Sequence, residues 1–156
     1  YLKNVFGLSP QREDTLIAGN SMGGYGAFKA AFLRPELYSV AASFSGVLSL
    51  AFIKAFPDDP RRGEFEKLFG DLDKLVGSEH DPAAWLQRSS SHPELLPRLF
   101  MACGRQEDLY PLNTFFYNSC QALGIHVDYH EEDGFHDWFF WNKQIQRFLA
   151  ANLKPL

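Results

Sequence analysis

The sequence predicts an α/β fold with a parallel sheet, and three observations carry that reading. Short apolar runs bounded by turn residues recur at Thr15–Gly19, Tyr38–Gly46, Leu99–Gly104 and His126–Glu131, with the length and composition of buried strands. Helical patterns occupy Met22–Leu33, Asn113–Leu123 and Asp137–Leu153. Strands alternating with helices call for parallel pairing through right-handed crossovers. The third observation is Gly19-Asn20-Ser21-Met22-Gly23, where the first apolar run stops and the first helical pattern starts at once.

Taken in order, "TLIAG" from Thr15 is a buried strand, and the helix that opens at Met22 is closed by Pro35, because proline disfavours helix for the residue before it. "YSVAASFSG" from Tyr38 is the second strand. Residues 50–95 are irregular, broken by Pro57, Pro60, Pro82 and Pro93, with helical fragments at Glu64–Phe69 and Pro82–Leu86. They read as an excursion over the sheet edge. "LFMACG" from Leu99 is the third strand, and the helix from Asn113 stops at Gly124. "HVDYHE" from His126 alternates as a fourth strand, and Phe140, Ile145, Phe148 and Leu149 fall at helical spacing in the last helix. Parallel sheets bury both faces, so about four strands flanked by helices leave one edge that expects a neighbour from outside this chain.

The 156 residues are 46% hydrophobic and 22% charged, enough for a single domain with a core, spanning 1–156. A net charge of −4 provides no basic field for nucleic acid and no polybasic membrane patch. No apolar run reaches the roughly 18 residues of a membrane-spanning helix. Cys103 and Cys120 do not form a disulfide framework; they read as reduced structural thiols, which fits a cytoplasmic protein. The chain opens on Tyr1 rather than Met, so it reads as the later part of a longer polypeptide, with any targeting signal upstream.

A strand-to-helix turn tight enough to expose Ser21 forces that residue into a strained backbone region. The residues two before and two after then crowd each other, and Gly19 and Gly23 relieve the clash. The hydroxyl stands above the sheet at a helix N-terminus, where the Met22 N–H can receive developing negative charge. Gly24 and Gly26 are expected to let the helix approach the strands. A serine needs a base. Among the histidines, His80 and His92 fall in the excursion and read as solvated, and His126 and His130 share one face of the fourth strand. His136, in "DGFHDW", lies in the loop after that strand. Open α/β sheets place their sites in loops at strand carboxyl ends, so His136 is the expected base. The third strand ends in "CGRQEDLYP", which offers Glu107 and Asp108 as the acid that orients it. His126, His130, Glu131, Glu132, Asp133 and His136 lack a known metal-ligand spacing such as H-E-x-x-H on a helix. They read as a polar strand end, with no metal and no cofactor expected.

"REDTLIAGNSMGGYGAFKAAF", "CGRQEDLY" and "GFHDWFFWNKQIQRFL" together resemble the tributyrin-esterase branch of the esterase D-like α/β-hydrolases, and "FEKLFGDLDKLVGSEHDPAAWL" adds to the likeness. The resemblance covers nearly the whole chain. It implies an α/β-hydrolase fold with Ser21 as nucleophile and His136 as base, in the order serine, acid, histidine. The family usually carries Asp three residues after the glycine ending the third strand, a position that from Gly104 holds Glu107 instead; Asp108, one residue later, is the alternative. The family's His-Gly-Gly-like loop, whose N–H completes the oxyanion hole, has no counterpart in residues 1–14. The resemblance therefore implies the C-terminal portion of the fold, with the N-terminal strands absent. The implied function is a serine carboxylesterase acting on small, short-chain acyl esters. An acyltransferase on the same triad and a truncated non-catalytic scaffold are the alternatives. Phe52, Phe56, Phe135 and Trp138 are candidate walls for the acyl group.

Overall fold

The structure, a computed structural model, describes Ser9 and residues 11–51, 53 and 58–153. Its sheet has four strands in sequential order: β1 (Leu16–Asn20), β2 (Val40–Phe44), β3 (Arg98–Gly104) and β4 (Val127–Glu132). Every pair is parallel, with Ala18 opposite Ala42, Ala42 opposite Phe100 and Met101 opposite Tyr129. Parallel pairing requires crossovers. Helix α1 (Met22–Leu33) joins β1 to β2, α4 (Tyr110–Ala122) joins β3 to β4, and α5 (Trp138–Asn152) follows β4.

The strand alternation divides the core in two. Ala41, Leu99, Met101 and Val127 point to one face and pack with Phe28 and Phe32 of α1 and Phe116 and Cys120 of α4. Val40, Ala42, Phe44, Phe100 and Ala102 point to the other and pack on Phe140, Trp141 and Phe148 of α5. Both central strands are thus covered on both sides, as parallel strands require. The outer side of β1 has no strand partner among the described residues.

The excursion does not cross the sheet edge as expected. It contains α2 (Arg62–Phe69) and α3 (Pro82–Ser89), and it packs over the α1/α4 face. The reason is apolar burial: Trp85 of α3 is 1% exposed, with its ring 5.2 Å from Tyr25 and 6.0 Å from Phe32. Leu72, Leu75 and Leu86 are buried in the same cluster. Asp81 caps α3 by accepting from the Ala83 N–H, with Pro82 in the first turn.

His80 is not solvated either. Its imidazole is 24% exposed, packs edge-on against Phe69, and its Nδ1 accepts from Lys29 Nζ at 2.8 Å. Burial, and then the Lys29 charge, hold it below its ordinary pKa of 6.5. His92 is exposed. His126 precedes β4, while His130 within it stacks on Phe100 and pairs with Asp128 at 3.0 Å. Helix α4 begins at Tyr110, three residues before the expected start, because Pro111 is tolerated in a first turn where its missing N–H has no partner to lose.

Candidate active site

Three loops at the carboxyl ends of β1, β3 and β4 converge on one spot. The first is the β1–α1 turn. Ser21 adopts φ 54°, ψ −123°, a region that costs a non-glycine residue about 1–3 kcal/mol. It is held there because its N–H donates to Phe44 O at 2.9 Å, extending the β1–β2 ladder, while its carbonyl accepts the first helical bond from Tyr25 at 3.2 Å. The turn requires glycine at position 19: a Cβ there would come within 2.2 Å of Gly23 O. Gly24 is constrained less tightly: a Cβ there would lie 2.7 Å from Ser43 Oγ and 3.0 Å from Gly46 Cα. Gly26 is not constrained, since a Cβ there meets nothing within 4 Å; the expected close approach belongs to Gly24 alone. Met22 is the first helical residue, so its N–H has no carbonyl four residues back to pair with.

The second loop follows β3. The Glu107 side chain is fully buried. Its Oε1 accepts from the Ser45 hydroxyl at 2.7 Å and from the Gly104 N–H at 2.8 Å. Its Oε2 lies 2.7 Å from His136 Nδ1. Asp108 turns outward and is exposed. The third loop carries His136, between β4 and the N-cap of α5, where Asp137 Oδ1 accepts from the Phe139 and Phe140 N–H groups. The two loops are clamped together: Gln106 donates its N–H to Gly134 O, and its side-chain oxygen accepts from the Gly134 N–H. They touch so closely that a Cβ on Gly104 would sit 2.2 Å from Gly134 O.

The result is one continuous hydrogen-bonded chain. An ionised carboxylate only accepts, so the proton between Glu107 and His136 belongs to Nδ1. That leaves Nε2 as the acceptor facing Ser21 Oγ, 3.0 Å away. An imidazole in that tautomer can take the hydroxyl proton, and the carboxylate can support the imidazolium that forms.

A cavity of about 580 Å³ opens onto this chain. Ser21, Met22 and His136 line it together with Val47, Phe65, Leu68, Leu109 and Leu112, and Arg61, Glu64 and Asp108 contribute charge. The Arg61 guanidinium is held by both carboxylate oxygens of Asp59, at 3.0 and 2.7 Å. The expected walls differ. Phe135 and Trp138 are 62% and 66% exposed and do not line this cavity, because they flank His136 on the outer surface. Phe52 and Phe56 lie outside the described residues. The sequence reading missed Phe65, Leu68, Leu109 and Leu112; the amphipathic run "FEKLF" was the available signal for the first two. No group of three or more His, Cys, Asp or Glu among the described residues is placed to hold a metal ion.

A family model described as "Putative esterase" matches residues 1–151. The chain belongs to this esterase family. An acetyl esterase of Caldicellulosiruptor saccharolyticus is 35% identical over 150 residues, which is 93% of this chain and 56% of that protein. Among solved structures, an S-formylglutathione hydrolase of Staphylococcus aureus superposes with a TM-score of 0.86 at 28% identity. A fluorophosphonate-binding serine hydrolase of the same organism superposes with 0.87 at 29%. Each match covers 99% of this chain and 60% of the other. The chain thus spans little more than half the length of these esterase relatives, and the matched part is the α/β sheet with its flanking helices. No helix among the described residues is long and apolar enough to cross a membrane.

Proposed function

We propose that the protein is a serine carboxylesterase working through an acyl-enzyme. His136 Nε2 takes the Ser21 proton as Oγ bonds to the ester carbonyl carbon. The carbonyl oxygen becomes an oxyanion held by the Met22 N–H. The alcohol then leaves with the proton from His136, and the acyl group stays on Ser21. A water molecule, deprotonated by His136 in turn, attacks the acyl carbon; the carboxylic acid departs and Ser21 recovers its proton. Glu107 holds the imidazole tautomer throughout. The observation that carries this reading is the unbroken chain from Ser21 Oγ to His136 at 3.0 Å and from His136 to Glu107 at 2.7 Å.

Short-chain acyl esters are the proposed substrates. A cavity of about 580 Å³ beside Ser21, with apolar walls from Val47, Phe65, Leu68, Leu109 and Leu112, and the acetyl esterase relative support them. The buried free thiols Cys103 and Cys120 support a cytoplasmic setting. The test is ester hydrolysis and fluorophosphonate labelling by the purified full-length protein. Ser21→Ala should abolish labelling and lower kcat on the order of 10⁶-fold; a Ser21→Ala protein that hydrolyses esters at the parent rate would end the proposal.

A further inference from the structure

Ser45, the residue after β2, has no part in the mechanism above, yet it has the marks of a fixed position. It is fully buried, and its φ of 49° makes it, with Ser21, one of two non-glycine residues with positive φ among those described. Its backbone is tied down by its N–H, which donates to Ala102 O at 2.7 Å. Its hydroxyl lies 2.7 Å from Glu107 Oε1 and 3.0 Å from Trp141 Nε1.

The donor inventory fixes the direction of both bonds. An indole N–H only donates, so Ser45 Oγ accepts from Trp141. An ionised carboxylate only accepts, so the Ser45 proton goes to Glu107 Oε1. The Trp141 N–H occupies an acceptor position of the same hydroxyl and so helps hold its proton toward Glu107. The Trp141 ring also packs edge-on against His136, with centroids 4.8 Å apart at 85°. One indole therefore packs on the imidazole directly and reaches the carboxylate through the Ser45 hydroxyl.

We infer that Ser45 and Trp141 are positioning residues for the proposed reaction, acting through Glu107 and His136. The inference rests on the esterase reading for its kinetic consequence but not for its geometry. A bond to a charged group is worth a ten- to hundredfold change in an equilibrium or rate. Ser45→Ala should therefore lower kcat by about that factor with KM unchanged. Ser45→Gly should match it, because glycine removes the same hydroxyl while relieving the positive φ; it carries the test if the alanine variant folds poorly. Trp141→Phe, which keeps a ring against His136, should cost less than Ser45→Ala. In a Glu107→Gln background Ser45→Ala should add little, since its route runs through that carboxylate.

The low-field proton resonance of His136 Nδ1–H gives a readout independent of turnover. It should move in Ser45→Ala. An inactive parent protein whose resonance still moves would remove the esterase proposal and its kinetic consequences here, and leave standing the orientation of Glu107 and His136 by Ser45. An active parent whose Ser45→Ala and Ser45→Gly variants keep both kcat and the resonance unchanged would overturn this one alone. So would full additivity with Glu107→Gln.

Discussion

At residues 107 and 108 two carboxylates stand side by side, and the backbone turn separates them. Glu107 points inward to three donors, whereas Asp108 is exposed at the edge of the cavity. Replacing Glu107 by Gln puts an amide where a carboxylate held the imidazole tautomer, so kcat should fall by about 10⁴, the loss that amide substitution of a triad acid causes elsewhere. Asp108→Asn should leave kcat within a few-fold and affect KM at most; steady-state kinetics on both variants check this. Sequence alone left the pair open because either side chain follows the same strand end. What separates them in the structure is the set of partners around Glu107, the Ser45 hydroxyl, the Gly104 N–H and the His136 ring, two of which lie far away in sequence and leave no local signature. The placement of Ser21 and His136 at neighbouring strand ends was legible for the opposite reason. Glycine spacing and a loop after a strand are local facts.

The elements that carry these residues follow from short-range chemistry. Helix α1 runs over the residues the pattern assigned, and β1 to β4 shift from their expected bounds by at most two residues. Helix α5 shows how a cap reaches the site. Asp137 Oδ1 takes two N–H groups of the first turn at 3.0 Å each, and the residue before it is His136. Asp137→Ala should cost about 1 kcal/mol of stability, measured by urea unfolding. It should also lower kcat more than that loss explains, because the loop presenting the imidazole loses its fixed end. The excursion was less legible. Its apolar residues are scattered among prolines, and only the assembled fold shows that Trp85, Leu72 and Leu75 share one cluster.

Across the whole molecule, the excursion is fastened to α1 by a polar contact as well as by apolar packing. Lys29 of α1 donates to His80, and the Tyr25 hydroxyl donates to the His80 carbonyl at 2.8 Å. The folded state holds His80 below 6.5, so between that lowered value and 6.5 the unfolded chain binds more protons. Stability contributed by neutral His80 is therefore complete above about 6.5 and is lost as pH falls through that window. Thermal unfolding at pH 7.5 and 5.5 should show the loss, and His80→Gln, which still accepts from Lys29, should reduce the difference between the two. The excursion leaves and rejoins the sheet between β2 and β3, which are already neighbours. It supplies Arg61, Glu64, Phe65 and Leu68 to the cavity wall and none of the groups in the Ser21–His136–Glu107 chain. Substitutions at positions 61, 64, 65 and 68 can therefore reshape one wall of the cavity without replacing any member of the hydrogen-bonded chain, while Met22, Val47, Leu109 and Leu112 keep the opposite contributions to that wall constant.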